Sequence, residues 1–96
     1  MQSSHAPIDR PIFERVREIG RAAVTIAAKL PPILADDRLT ADALSELVVS
    51  IDARRVEIEN IADAVRNQRL RMLAHQIERL WKDLAKLTAH RRASQG

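Results

Sequence analysis

Two heptad series of apolar residues, out of phase with each other, set the strongest limit on how this chain can fold. Leu44, Ile51, Ile58 and Val65 recur every seven residues, and so do Leu70, Ile77 and Leu84, but the second series is displaced by two residues. On an α-helix that offset is about 200° of rotation, so one straight helix cannot turn both stripes toward one neighbour. Either the chain turns at "RNQR", residues 66 to 69, or one long helix buries its two stripes against different neighbours in a dimer. A turn is the expectation, because a short chain gains most by folding its own complementary helices together. Asn67 is the residue able to take the left-handed conformation that ends helices.

The remaining apolar spacing places the other elements. Ile12, Val16, Ile19, Ala23, Ile26, Ala27 and Leu30 follow three- and four-residue steps, which predicts a helix over about 11–30. Asp9 is its expected N-cap, Pro11 sits in its first turn, and Pro31 and Pro32 are expected to stop it. Gly20 costs a helix about 1 kcal/mol against Ala, which suggests that a neighbouring helix approaches closely there. Ile33, Leu34 and Leu39 lie in a linker and are expected to pack onto the core. Thr40 is the predicted N-cap of a second helix over about 41–66, supported by Asp42 at the positive end of the dipole. Leu70, Leu73, Ile77, Leu80, Leu84 and Leu87 alternate steps of three and four along a third, over about 69–90. The expected fold is an all-α three-helix bundle, with helices 2 and 3 as an antiparallel hairpin or exchanged in a dimer. Residues 1–8 and 92–96 are read as tails around a single helical domain over 9–91.

With 96 residues the chain holds one domain at most. At this size only about 60 to 65% of the unfolded surface is buried, so a homodimer is expected to extend the core. The absence of cysteine excludes disulfides and thiolate metal sites and fits a reducing cytoplasm. No apolar run reaches the length of a membrane span, and "MQSSHAPIDRP" lacks the basic-then-apolar order of a signal peptide, so no membrane is expected. Charge is distributed unevenly. Residues 1–35 carry five Lys or Arg against three Asp or Glu, residues 36–65 three against eight, and residues 66–96 eight against two. An acidic second helix antiparallel to a basic third one is electrostatically favoured.

No arrangement of residues points to catalysis, a metal or a cofactor. His75 and Glu78 lie one turn apart, but no further ligand converges at metal spacing, and a solvated polar face is the expectation. "LAHQIERL" resembles the surroundings of a phosphotransfer histidine, yet Glu78 and Arg79 stand where that family has Lys and Gly. "IDARRVEIENIADAV" resembles the all-helical chorismate mutases without their ordered set of cationic residues. Arg55, Arg69 and Gln76 lie on or beside the apolar stripes. They are read as edge residues whose stems cover apolar surface and whose heads find opposite charges such as Glu59. Arg71, His75, Arg79, Lys82 and Lys86, extended by Arg91 and Arg92, form a basic stripe able to contact phosphates. Glu78 and Asp83 dilute it, and one Phe, one Trp and no Tyr leave little for base stacking. Trp81 reads equally as a half-buried core residue and as an interface anchor. Leu80, Leu84 and Trp81 with Arg71, Arg79, Lys82 and Lys86 are the partner-binding candidates.

Residues 44 to 65, "LSELVVSIDARRVEIENIADAV", resemble the first long helix of the TraM-type quorum-sensing antiactivators. The shared features are Leu44, Leu47, Val49, the Arg54 and Arg55 region, and Ala62 to Val65. The resemblance covers under a quarter of the chain. The family's loop between long helices is missing here, and the third helix is more basic. It implies an all-helical dimer that binds a transcriptional regulator. Together these readings predict a small non-enzymatic regulator acting by helix-mediated protein contact, with a basic nucleic-acid-binding accessory protein as the alternative.

Overall fold

The computed structural model describes residues 6 to 95, which form three helices joined by two short connections. Helix α1 spans Ala6–Ala35, α2 Ala41–Ala64 and α3 Gln68–Gln95. They pack as a slim all-α bundle with extents of 58 × 19 × 18 Å. Helices α2 and α3 form the antiparallel hairpin, and α1 lies along them, packed more extensively on α3 than on α2. The accessible surface is 6780 Å², against about 5,500 Å² for a compact monomer of this mass. Three helices side by side have one shared line of core, and the rest of each helix faces out.

The hairpin turn is where the phase offset places it, but Asn67 works at the start of α3 rather than at the end of α2. Helix α2 closes on Val65 in extended conformation (φ −77°, ψ 141°), with its N–H still bonded to the Ile61 carbonyl (3.0 Å). Asn67 Oδ1 then accepts from the Leu70 N–H (3.0 Å), and its carbonyl accepts from the Arg71 N–H (2.9 Å). A side-chain oxygen that fills an orphan donor of the first turn is what an N-cap supplies. The end of α2 is satisfied differently. Arg71 Nε and Nη2 both donate to the Val65 carbonyl, at 3.1 and 2.7 Å. One charged fork therefore holds the two helices at the corner.

At the first connection the expected helix stop is overrun. Helix α1 continues through Pro31 and Pro32 to Ala35. The carbonyls those prolines leave unpaired belong to Ala27 and Ala28, both exposed, so water can serve them, and continuation places Leu34 against the core beside the fully buried Leu30. Burial here outweighs the local proline penalty. At the other end α1 already runs from Ala6, so Asp9 lies inside the helix and is not its N-cap. Residues 1–5 and Gly96 of the expected tails lie outside the described residues, whereas residues 6–8 and 92–95 are helical. Thr40 caps α2 as expected, its Oγ1 accepting from the Ala43 N–H (3.1 Å). Leu39 is half-buried, while Ile33 is 37% exposed.

All seven residues of the two heptad series are buried. The rest of the α3 seam is rotated from expectation. Ala74, Trp81 and Thr88, a further line at seven-residue spacing, enter the core, while Leu80 and Leu87 are 44% and 47% exposed and Leu73 is half-buried. The reason is α1. It packs against the side of α3 that carries Trp81 and turns α3 toward the wedge between its two neighbours. Gly20 permits the approach: a Cβ there would lie 2.9 Å from Ile77 Cδ1.

Candidate functional site

The parallel helices α1 and α3 leave an open groove between them. Its floor is Gly20 and Ile77, its walls are Val24 on α1 with Leu73 and Leu80 on α3, and its edges are Arg17, Arg21 and Gln76, around a volume of about 380 Å³. Val24 is 64% exposed. On α1 the same line of three-, four- and seven-residue steps continues to Phe13 and Ala27, both exposed, and on α3 to Leu87. Arg17 lies over the Phe13 ring, 5.7 Å from its centroid, and 4.0 Å from Glu14. Arg21 makes no ion pair among the described residues.

The partner-binding candidates fall into two groups. Trp81 is fully buried, and its indole Nε1 donates to the Ile19 carbonyl at 3.2 Å, so it is a core residue and not a free anchor. Leu84 is likewise buried. Arg71 is held by the Val65 carbonyl, and Lys82 Nζ lies 3.2 Å from Glu78 Oε2. Leu80, Arg79 and Lys86 face solvent. Of the edge residues, Arg55 is half-buried and pairs with Asp52 (2.8 Å) and with Glu59 (3.2 Å), while Arg69 and Gln76 are exposed. Arg71, His75, Arg79, Lys82, Lys86 and Arg92 of the basic stripe are all exposed, Arg71 and Lys82 with partners inside the chain. Arg91 turns inward, its Nη2 donating to the Asp36 carbonyl at 3.5 Å.

His75 and Glu78 do meet, in a chain of side chains that continues to Lys82. His75 Nδ1 lies 3.0 Å from Glu78 Oε1, and among the described residues no group of three His, Asp or Glu side chains converges. Glu78 is 7% exposed. Burial pushes its carboxyl up, and His75 and Lys82 together pull it further down, to a net value below the usual carboxylate range.

Among the described residues, no ion pair within 4 Å joins the acidic α2 to the basic α3. The ion pair that crosses between helices among the described residues joins α1 to α2: Arg15 Nε and Nη2 donate to Glu57 Oε2 and Oε1 at 2.6 and 2.7 Å. This fork raises the Arg15 guanidinium and lowers the Glu57 carboxyl. The sequence held no signal for it beyond opposite charges on two helices. The uncovered α1 wall of the groove was equally unread, because it depends on which side of α3 receives α1.

No protein-family model, curated protein or solved structure matches this chain. Fold and groove define an architectural class: a narrow three-helix bundle with an apolar, cation-edged groove open between α1 and α3. Among the described residues, no helix is long and apolar enough to cross a membrane.

Proposed function

We propose that this chain is a small non-enzymatic regulatory protein that works by holding another protein along the α1/α3 groove. The observation that carries the reading is the Leu73, Leu80 and Leu87 line. In a chain that buries both of its heptad series, Leu80 and Leu87 of this line stay at the surface and Leu73 is half-buried, with Val24 of α1 lining the same groove as Leu73 and Leu80. Aligned apolar side chains on two parallel helices are the geometry of helix-in-groove recognition. A transcriptional regulator is the partner suggested by the TraM-type resemblance of residues 44 to 65. The groove reading does not depend on that suggestion.

The test is affinity capture with the whole chain and with Leu80→Asp. Leu80 is nearly half exposed, so the variant is expected to keep its melting temperature. A protein retained by the parent and lost by the variant supports the reading, and equal retention by both removes it. The homodimer is a separate proposal, supported by the large surface for this mass. The hairpin closes within one chain, so a dimer would form without exchange of helices, and light scattering after size exclusion decides it. Nucleic-acid binding has the exposed Arg79 and Lys86 in its favour. Against it, Arg71, Lys82 and Arg91 are already engaged within the chain. A steep salt dependence on DNA would restore it.

A further inference from the structure

Resting on the reading of the α1/α3 groove as a docking surface, we infer that its occupant is an acidic amphipathic helix supplied by a different protein. The groove is lined by two cations, Arg17 and Arg21, and by no carboxylate. On the α3 shoulder Arg69, Arg79 and Lys86 stand exposed, with Asp83 among them. Leu73 to Leu87 covers about 21 Å of helix, so an occupant of about four turns spans the apolar line. Its own apolar residues must recur at three, four and seven steps, with Glu or Asp on the two flanks where the arginines lie.

A second copy of this chain could fill the groove in two ways, and both are disfavoured. Pairing α3 against α3 would oppose two segments that each carry eight Lys or Arg and two Asp or Glu over residues 66–96. Like-charged seams of that kind repel. The outer side of α2 has the right chemistry, with Val49 and Val56 exposed seven residues apart and Asp42, Glu46, Asp52 and Asp63 exposed around them. But α2 forms the third side of the rod, away from the α1/α3 groove. Seating it in the groove of a neighbour gives a head-to-tail contact that repeats without closing into a dimer. That α2 surface nevertheless shows what a matching occupant is: an apolar line edged by carboxylates.

The experiment uses the full chain and two fluorescein-labelled synthetic helices of about 18 residues. Both carry the same leucine line, one with glutamates on its flanks and the other with lysines. By fluorescence anisotropy the glutamate peptide is expected to bind and to weaken with added salt, and the lysine peptide to bind poorly. Arg21→Glu should lower the glutamate peptide's affinity about fivefold and raise that of the lysine peptide. Leu80→Asp should remove binding while the melting temperature of the chain stays unchanged. Equal binding of the two peptides overturns the acidic occupant and leaves the groove reading standing. Failure of both peptides to bind, or binding indifferent to Leu80→Asp, overturns the groove reading as well. Concentration-dependent open association in light scattering, abolished by Leu80→Asp, assigns the groove to α2 of a second copy and overturns a separate partner.

Discussion

The indole N–H of Trp81 donates to the backbone carbonyl of Ile19, 62 residues earlier in the chain, at 3.2 Å and out of contact with solvent. This bond ties α1 to the hairpin at the middle of the bundle. The ring also fills the space between α1 and α3 beside the close approach of Gly20 to Ile77. A buried indole needs an acceptor, and in an all-helical core the available acceptors are helix carbonyls and a few side chains. The position of α1 on the hairpin is therefore fixed by polar contacts, this bond to α3 and the Arg15–Glu57 fork to α2, as well as by apolar packing.

Removing that side chain should be among the most damaging single changes. Trp81→Ala is expected to cost about 3 to 5 kcal/mol, a large part of the stability of a domain this small. Trp81→Phe keeps a ring, loses the hydrogen bond and leaves some volume empty, for a loss on the order of 2 kcal/mol. Thermal melts followed by circular dichroism test both. In the parent chain the sole tryptophan should emit at short wavelength until the same transition. A Trp81→Ala melt that overlays the parent would contradict the packing described.

The role of Asn67 is separable by two substitutions. At a left-handed helix end, Asn67→Gly would be neutral or stabilising, because glycine adopts that conformation without strain. As the N-cap of α3, Asn67→Gly should cost a few tenths of a kcal/mol and Asn67→Ala about 1 kcal/mol. Asn67→Asp should hold or raise the melting temperature, since its charge lies at the positive end of α3. A gain in stability from Asn67→Gly would return the residue to the end of α2.

The hairpin was legible because its evidence is periodic. Leu44, Ile51, Ile58 and Val65 repeat often enough to define a face, and the two-residue slip at Leu70 can be met only by a turn or a second chain. What stayed hidden depends on α1. Leu73, Leu80 and Leu87 look like core positions from their spacing alone, and so do Leu70, Ile77 and Leu84. Which line is buried follows from where α1 sits, and that rests on the volume of Trp81 and the missing side chain at Gly20. Pro31 and Pro32 show the same ordering of effects. Local chemistry ends the helix there, yet the burial of Leu30 and Leu34 carries it one turn further. The groove is the residue of these choices, visible only once α1 is in place.

Two carboxyls make stability depend on pH in a defined direction. The Arg15 fork holds Glu57 below its ordinary value, and His75 with Lys82 holds Glu78 below its own against the opposing effect of burial. A carboxyl lowered in the fold binds fewer protons there than in the unfolded chain. Its stabilisation is complete above the ordinary carboxylate range, about 4.3, and is lost as pH falls through the lowered value. The melting temperature is therefore expected to be flat near neutrality and to fall below about pH 5. Glu57→Gln should cost about 0.5 to 1 kcal/mol at neutral pH, a modest figure because the pair is partly solvated. The variant and parent curves should converge in acid. Parallel curves across the whole range would mean that the Arg15–Glu57 fork contributes nothing to folding.

The contact of Gly20 with Ile77 can be measured as a coupling. Alanine at position 20 brings a gain of about 1 kcal/mol in helix propensity. It also places a Cβ 2.9 Å from Ile77 Cδ1 and 3.4 Å from Cγ1, so the end of the isoleucine must shift. The two effects oppose each other in Gly20→Ala alone, which should stay within about 1 kcal/mol of the parent. Ile77→Val removes the δ-methyl and by itself costs about 0.5 to 1.5 kcal/mol. In that background the collision is gone, and Gly20→Ala should become clearly stabilising. A double-mutant cycle on denaturant midpoints is expected to show a coupling of at least about 0.5 kcal/mol in that direction. Additive effects would mean that α1 and α3 do not touch at this point, and the floor of the groove would have to lie elsewhere.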